Sequence, residues 1–183
     1  MKYNPKRPHR RSIRINGYDY PSDGWYFVTI CVLDKRCVFG KIEKNNMVLN
    51  QIGKIIDYRW MYLPIHFKNI ELDTHQIMPN HFHGIIHIVG AKHPAEKYAK
   101  KCKSVDMDAS PLPMPCGTNS GSLGAIIPKF KSVTTRKINK IKKSAGSHLW
   151  QRNYWEHIIR NEIDLNRIRA YIIANPLKWA EHE

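Results

Sequence analysis

The sequence predicts an α+β domain in which helices pack on one face of a single sheet. Two observations favour this class: segments with strand character are interleaved with segments of helical character, and they include one hairpin but no βαβ repeat. At 183 residues and 42% hydrophobic composition, the chain suits one packed core with extensions and is marginal for two. We therefore expect a basic N-terminal arm at residues 1–22 and a single domain at residues 23–183.

The first predicted elements are strands followed by a helix. Residues 25–33 are dense in aromatic and β-branched side chains, which is typical of a buried strand. A more polar strand at residues 38–42 is expected to pair with it, and residues 47–49 are a candidate for a further strand. Hydrophobic residues then recur at helical spacing from residue 51 to about residue 63, so we predict an amphipathic helix that ends near Pro64.

The second half begins with predicted strands at about residues 70–78 and 81–89. Between residues 91 and 121 the chain is rich in Pro, Ser, Gly and Lys, which indicates a flexible insertion. Helical spacing returns at residues 123–143, where Pro128 would either begin or kink the helix. An extended piece at residues 150–154 leads to a last helix at about residues 163–174, which we expect Asn175 and Pro176 to close.

The formal net charge of +15 favours a polyanionic partner, and nucleic acid is the first candidate. An anionic membrane surface is the second, but neither an apolar run of about 18 residues nor a long amphipathic basic helix stands out. The basic N-terminus lacks the apolar segment of a secretory signal, so we expect a cytoplasmic protein. The four cysteines form no Cys-x-x-Cys pair, so neither a zinc knuckle nor a redox motif is indicated.

The densest chemical pattern is Met-Pro-Asn-His-Phe-His-Gly at residues 78–84. Side chains at positions i and i+2 of a strand lie on one face, about 6.5 to 7 Å apart, so His81 and His83 can converge on one metal ion. Gly84 leaves room for a close approach of backbone or ligand. His87 shares this face but lies too far along the strand to join the same ion. The alternative is a pair of ordinary half-buried histidines.

The last helix has two stripes of side chains. At 3.6 residues per turn, a polar stripe contains Asp164, Arg167, Tyr171 and Asn175. An apolar stripe that can bury against the sheet contains Leu165, Ile168 and Ile172. Tyr171 and Asn175 can therefore reach one site together, and the Asn175 oxygen would complete two imidazoles to a three-ligand site suited to magnesium or manganese. The alternative for Tyr171 is a ring packed on the sheet with its hydroxyl in water.

These pieces resemble the single-tyrosine HUH transposases of the insertion-sequence-200 type, and among them most closely the REP-associated tyrosine transposases. The resemblance rests on Pro-Asn-His-Phe-His at residues 79–83, Trp-Gln-Arg-Asn-Tyr-Trp-Glu-His at 150–157 and Tyr-Ile-Ile-Ala-Asn-Pro at 171–176, in that order. The runs at residues 10–14, 17–20 and 26–30 are also similar to the start of such proteins. The resemblance covers most of the chain except the insertion at residues 91–121.

The resemblance implies a ferredoxin-like fold with an antiparallel sheet, the histidine pair on a central strand and the tyrosine helix over the same face. It implies that His81 and His83 bind the metal, that Tyr171 is the nucleophile and that Asn175 is a polar third ligand. Tyr154 is the competing tyrosine, but its place in the Trp-Gln motif looks aromatic rather than catalytic, and it has no polar partner four residues further on.

The implied reaction is nicking and rejoining of single-stranded, hairpin-containing DNA by a homodimer, or by a monomer. Attack by the tyrosine would give a 5′-phosphotyrosine and a free 3′-hydroxyl, and another 3′-hydroxyl could reverse it without a nucleotide cofactor. Because a phenol has a pKa of about 10, a divalent ion, Mg²⁺ or Mn²⁺, would assist by polarising the phosphate. The basic residues that could follow the DNA backbone, or instead form solvated surface, are Arg10, Arg11, Arg14, Lys129, Lys131, Arg136, Lys137 and Lys140.

Three other functions fit parts of the sequence. A nucleic-acid-binding protein without cleavage activity would have the same charge and fold. A metal-dependent hydrolase would attack with metal-bound water, and Tyr171 would be a bystander. A structural metal at His81 and His83 would only stabilise the fold.

Overall fold

A four-stranded antiparallel sheet organises the computed structural model, which describes residues 24–89 and 121–180. The strands are β1 (Gly24–Cys31), β2 (Gly40–Glu43), β3 (Asn46–Leu49), β4 (Ile70–Ile77), β5 (His81–Ile88) and β6 (Trp155–Ile159). The helices are α1 (Gln51–Met61), α2 (Leu63–His66), α3 (Leu123–Lys142) and α4 (Glu162–Ala180). The predicted arm, with Arg10, Arg11 and Arg14, and the predicted insertion up to residue 120 lie outside the described residues.

The sheet has the strand order β4-β5-β1-β6, and the paired strands run antiparallel. The histidine strand β5 is therefore central, as the resemblance implied. Thr29 of β1 lies opposite His83 of β5 on one side and opposite Trp155 of β6 on the other. The α+β class and the antiparallel sheet are confirmed.

Alternate residues of β1 and β5 point into two hydrophobic cores, one on each face of the sheet. On the first face the sheet contributes Tyr26, Val28, Ile30, Phe82, Ile86 and Ile88. The helices α1 and α3 cover that face with Ile56, Trp60, Ile126, Ile127 and Phe130. The second face carries a smaller core made of Phe27, Ile85 and Ile159 with Leu165, Ile168 and Ile172 of α4. The helices thus lie on both faces, and the expectation of one covered face is wrong because the apolar stripe of α4 has its own partners.

The predicted strand at residues 38–42 does not join the main sheet. The strands β2 and β3 form a separate two-stranded hairpin, in which Glu43 lies opposite Asn46. Lys44 and Asn45 turn the chain with φ values of 48° and 64°, as a two-residue hairpin loop requires. The backbone nitrogens of Val38 and Phe39 instead donate to the carbonyl oxygen of Pro79, so this segment approaches the sheet at its end.

The helix α1 begins at a side-chain cap that the sequence provides. The Asn50 side chain accepts hydrogen bonds from the nitrogens of Ile52 and Gly53 at 2.9 and 3.0 Å, which starts α1. This helix ends at Met61, close to the predicted boundary.

No helix within residues 24–89 and 121–180 combines the length and the apolar composition that crossing a bilayer requires.

Two helices contain a proline: Pro128, which was expected to begin or kink its helix, and Pro176, which was expected to close the last one. The helix α3 begins at Leu123, so Pro128 lies inside it. The helix α4 continues through Pro176 to Ala180, so the predicted end at Asn175 and Pro176 is wrong. Proline costs one backbone hydrogen bond within a helix. The last turn of α4 persists because Pro176 is buried and Trp179 packs against His81, with 5.7 Å between ring centroids.

Candidate active site

Two histidines of β5 converge on the second face of the sheet. The Nε2 atoms of His81 and His83 lie 3.0 Å apart. Two nitrogens at this separation can both reach one ion, because metal–nitrogen bonds in proteins are about 2.0 to 2.1 Å long. Burial lowers the pKa of His81 to about 4 and that of His83 to about 3, so both rings are neutral at pH 7. Neutral imidazole is the form that binds metal.

Hydrogen bonds on the far side of each ring fix the orientation of the pair. The Nδ1 atom of His81 lies 2.7 Å from Oδ1 of Asn80, and the Nδ1 atom of His83 lies 2.9 Å from Oγ1 of Thr29. An amide oxygen only accepts hydrogen bonds, so His81 carries its proton on Nδ1 and presents a lone pair at Nε2. When His83 likewise donates from Nδ1 to Thr29, the lone pairs of the two Nε2 atoms face each other. A cation bound to both nitrogens would then be stabilised. In its other tautomer, His83 Nε2 donates to His81 and no cation is needed.

The described surroundings of the pair supply few further metal ligands. Among residues 24–89 and 121–180, three or more His, Cys, Asp or Glu side chains nowhere gather as a metal site. Asn175 lies one turn beyond Tyr171, and its amide nitrogen donates to the Tyr171 carbonyl oxygen at 2.7 Å. The indole nitrogen of Trp179 is buried beside His81 with no hydrogen-bond partner among the described residues, so it is a donor suited to an anionic oxygen.

The helix α4 places Tyr171 over the same face as the histidine pair. The ring centroid of Tyr171 lies 5.6 Å from that of His83 and 6.0 Å from that of Phe27, both in edge-to-face contact. The tyrosine remains 41% exposed, and the amino group of Lys178 lies 5.5 Å from its ring centroid. The competing Tyr154 packs instead against the first core, on the opposite face. The structure therefore brings Tyr171, and not Tyr154, to the histidines.

A salt bridge between distant parts of the chain anchors α4. The Arg169 guanidinium binds both carboxylate oxygens of Asp73, at 2.9 Å from Nε and 2.5 Å from Nη2. Asp73 lies in an irregularity of β4 between Leu72 and His75, where the register with β5 shifts. The hydrogen bond from Arg169, the largest cause, lowers the pKa of Asp73 to about 2. This anchor was not predicted from the sequence, because its partners are 96 residues apart.

A cavity of about 580 Å³ adjoins His83 and Tyr171 on the second face. Its other walls include Phe27, Trp155, His157 and Arg167. Residues 150–154 were predicted to be extended, but the strand itself is β6, which was not predicted and which carries Trp155 and His157 on the same face. The spacing of these two residues, i and i+2, is the same pattern that identified the histidine pair, and it could have found them.

One carboxylate links two side chains at the rim of the cavity. Asp164 lies 2.8 Å from Nε2 of His157 through Oδ2 and 2.6 Å from Nη2 of Arg167 through Oδ1. The hydrogen bonds from His157 and then from Arg167 lower the pKa of Asp164. Of the polar stripe predicted for the last helix, Arg167 and Tyr171 line this cavity, one turn apart.

Neither His75 nor His87 joins the histidine pair, and Gly84 packs against the first core. His75 bonds to Asp57 at 2.8 Å and contacts the rings of Trp60 and Phe82, so it points away from the histidine pair. Gly84 does leave room for a close approach, but the approaching group is an indole: a Cβ built on it would lie 2.4 Å from Trp60. His87 stacks on Trp25 at 4.3 Å, outside the pair.

The predicted DNA-contacting residues of α3 do not surround this site. The amino group of Lys131 donates to the carbonyl oxygens of residues 151, 152 and 153 at 2.6, 2.9 and 3.3 Å, and burial lowers its pKa to about 8. These hydrogen bonds hold the segment before β6, so contact of Lys131 with a phosphate would require some of them to break. Four others are exposed on the helix layer of the first face: Lys129, Arg136, Lys137 and Lys140.

Known proteins similar to this chain include a full-length relative and a solved structure with a similar fold. No protein-family model matches the chain. An uncharacterized protein of Haemophilus influenzae is 40% identical over 183 residues, which span all of this chain and 96% of that protein. A putative REP-associated tyrosine transposase of the same organism is 46% identical over 44 residues, 24% of this chain and 25% of that protein.

The fold match is the solved structure of a REP-associated tyrosine transposase bound to a REP hairpin. It has a TM-score of 0.55 and 17% sequence identity, and the match covers 92% of this chain and 74% of that one. At this level of identity the match shows a shared fold.

Proposed function

We propose that this chain, which belongs to the same family as the uncharacterized Haemophilus influenzae protein, is a single-tyrosine HUH transposase of the REP-associated kind. It would nick and rejoin single-stranded DNA through a covalent tyrosine intermediate. The observation that carries this proposal is the contact of Tyr171 with His83 beside an open cavity, on the face where two neutral imidazoles converge. The fold shared with the REP-associated transposase supports it.

In this mechanism the Tyr171 hydroxyl oxygen attacks the phosphorus of a phosphodiester. The new oxygen–phosphorus bond gives a 5′-phosphotyrosine, the bond to the 3′-oxygen breaks, and the leaving 3′-oxygen takes up a proton as the phenol loses one. The reverse attack by another 3′-hydroxyl joins DNA without an energy source. Lys178, 5.5 Å from the phenol ring centroid, lowers the cost of negative charge developing on Tyr171.

His81 and His83 would hold the divalent ion, Mg²⁺ or Mn²⁺, with oxygen ligands from Asn175, DNA or water. Such an ion supplies Lewis-acid polarisation of the scissile phosphate. Asn80 and Thr29 keep both Nε2 atoms directed to one point, which limits the reorganisation needed for binding. The Asn175 amide nitrogen donates to the Tyr171 carbonyl oxygen, which leaves the amide oxygen as the atom that would bind the ion.

The proposed substrate is single-stranded DNA that contains a hairpin. A net charge of +15 supports a nucleic-acid partner, and the solved structure with the shared fold is bound to a REP hairpin. The exposed basic residues of α3 lie on the other face of the sheet from Tyr171. They would therefore contact a part of the DNA distant from the cleaved phosphate.

A covalent-adduct assay tests the proposal. The purified chain is mixed with 3′-end-labelled single-stranded oligonucleotides from the DNA that flanks its gene, with Mg²⁺ or Mn²⁺, and separated on a denaturing protein gel. We expect a labelled band at the mass of the protein plus DNA, absent in Tyr171→Phe and retained in the matched control Tyr154→Phe.

The other outcomes identify the competing functions. Cleaved DNA without a protein-linked band, unchanged in Tyr171→Phe, would indicate a hydrolase that attacks with water. DNA binding without any cleavage over the full flanking region would indicate a non-catalytic binder. Loss of the band in Tyr154→Phe alone would move the nucleophile to Tyr154.

A further inference from the structure

We propose that the cavity beside Tyr171 holds one unstacked nucleobase of the single-stranded DNA, and that Trp155 is the surface on which this base stacks. The inference rests on the proposed function, because it assigns the base to a nucleotide next to the cleaved phosphate. It adds a base-binding subsite to the reacting groups and names its principal residue.

The dimensions and position of the cavity favour a base at this place. Its volume of about 580 Å³ lies within the range of pockets that hold small organic molecules. His83 and Tyr171 form part of its wall, so a group inside it lies beside the reacting phosphate. A phosphate bound between these two side chains directs one neighbouring nucleoside towards the rest of the cavity.

The chemistry of the walls favours a flat aromatic ring over a sugar or a phosphate. Phe27, Trp155, His157 and Tyr171 all contribute rings, and Ile168 adds an apolar side chain. Single-stranded nucleic acids bind proteins by stacking bases on such rings, and stacking tolerates any base. A ribose–phosphate unit would lose hydration against the apolar walls without compensation.

Trp155 has the features of a stacking surface. It is 51% exposed, although it lies in a strand whose other side chains are at least partly buried. Its ring meets Phe27 edge-to-face at 5.5 Å and lies nearly parallel to His157, with 6° between the ring planes. These two contacts fix the plane of the indole and leave about half of its surface open. A fixed ring loses little conformational freedom when a base binds.

The Asp164 carboxylate fixes the polar rim of the cavity. It bonds to His157 at 2.8 Å and to Arg167 at 2.6 Å. The Arg167 side chain is nevertheless 74% exposed, so its remaining donors can reach the edge of a base or an adjacent phosphate. The rim therefore combines the hydrogen-bonded His157 ring with the positive charge of Arg167. This charge complements the negative phosphates of DNA.

The test measures binding in a Tyr171→Phe background, in which no covalent step takes place. A fluorescently labelled oligonucleotide that the wild-type protein cleaves is titrated, and single abasic substitutions are placed in turn at each position around the cleaved phosphate. We expect one abasic position to weaken binding about 5- to 150-fold, because stacking of one base contributes about 1 to 3 kcal/mol. Trp155→Ala should weaken binding of the intact oligonucleotide by a similar factor, and Trp155→Phe should retain most of it.

Coupling between the two changes identifies the contact. On the oligonucleotide with the critical abasic site, Trp155→Ala should have little further effect, since both changes remove the same interaction. The matched control is Tyr58→Ala, which removes a ring that is 59% exposed on α1 and should leave binding near the cleaved phosphate unchanged. A melting curve of each variant excludes unfolding as the cause.

The results separate this inference from the proposed function. Additive effects of Trp155→Ala and every abasic position, or unchanged binding by Trp155→Ala, would overturn the base subsite while the wild-type adduct remains. Absence of the adduct from the wild-type protein on all flanking DNA would overturn the proposed function itself.

Discussion

The two faces of the sheet are built from alternate residues of the same strands, yet they are covered very differently. On the first face α1 and α3 bury Tyr26, Trp60 and Phe82 completely. On the second face α4 covers only part of the sheet and leaves Tyr171 and Trp155 about half exposed beside the cavity. The same strands therefore supply only a packed core on the first face, and both a smaller core and the walls of the cavity on the second.

The sharpest comparison is between two histidines on neighbouring strands that point to opposite faces. His83→Ala removes one nitrogen of the convergent pair. We expect cleavage to fall by more than the roughly 10- to 100-fold that loss of an outer-shell partner of a metal ligand costs. Its melting temperature should also fall, because the side chain is 4% exposed and contacts Phe27 and Tyr171, so cleavage is compared at equal folded fraction. The rate of adduct formation and a thermal melt measure the two effects.

The matched variant is His75→Ala, on the first face. It removes contacts with Trp60 and the hydrogen bond to Asp57, so it should lower the melting temperature while cleavage by the folded protein is retained. A loss of cleavage in His75→Ala as large as in His83→Ala, at equal folded fraction, would contradict the division of the faces.

The next effect is expected on stability, at Gly84. A Cβ there would lie 2.4 Å from Trp60 and 2.8 Å from Phe82, both completely buried. We expect Gly84→Ala to lower the free energy of unfolding by about 3 kcal/mol, since overpacking a rigid core forces neighbours from their preferred positions. The urea midpoint measures the change.

Gly24→Ala provides the control on β1. Its Cβ would meet the Tyr26 side chain at 3.4 Å, an ordinary contact, so the free energy of unfolding should change by less than about 0.5 kcal/mol. Equal effects of the two substitutions would show that close packing of Trp60 on β5 is not what requires glycine at residue 84.

The smallest effect concerns the anchor between α4 and β4. Because the folded-state pKa of Asp73 is lowered to about 2, its contribution to stability is complete above about pH 4 and is lost as the pH falls towards 2. Asp73→Asn should lower the free energy of unfolding at pH 7 by about 1 to 2 kcal/mol, and its difference from wild type should shrink over that interval. Urea titrations at several pH values measure this.

The same substitution should also reduce cleavage at pH 7, since Arg169 lies two residues from Tyr171 and holds its helix to the sheet. Glu71→Gln, on the exposed side of the same strand, is the control and should leave both quantities nearly unchanged. A pH profile for Asp73→Asn that runs parallel to wild type between pH 4 and 2 would exclude this anchor as a stabilising ion pair.

Features that depend on local periodicity were predictable from the sequence. The spacing of His81 and His83 placed both side chains on one face, and the apolar stripe of α4 is the one that is buried. Two periodicities, two residues in a strand and 3.6 in a helix, suffice for these predictions. The central position of β5 came from the resemblance and is confirmed.

Features that depend on contacts between distant segments were not predictable. The Asp73–Arg169 anchor joins residues 96 positions apart. The hydrogen bonds of the Lys131 amino group likewise depend on three carbonyl groups around residue 152, about 20 positions further along the chain. The continuation of α4 through Pro176 depends on Trp179 packing against His81. In each case a contact between distant segments decides the outcome, and the local pattern of a single sequence does not reveal such contacts.

The alternation of faces along β5 also constrains how the lengths of related chains can differ. A single-residue insertion within this strand would turn the histidines into the packed core and its phenylalanine into the cavity. Relatives that keep the site should therefore align without gaps across residues 81–88. The irregularity in β4 between Leu72 and His75 shows where an odd residue is accommodated, on an edge strand that carries none of the reacting groups.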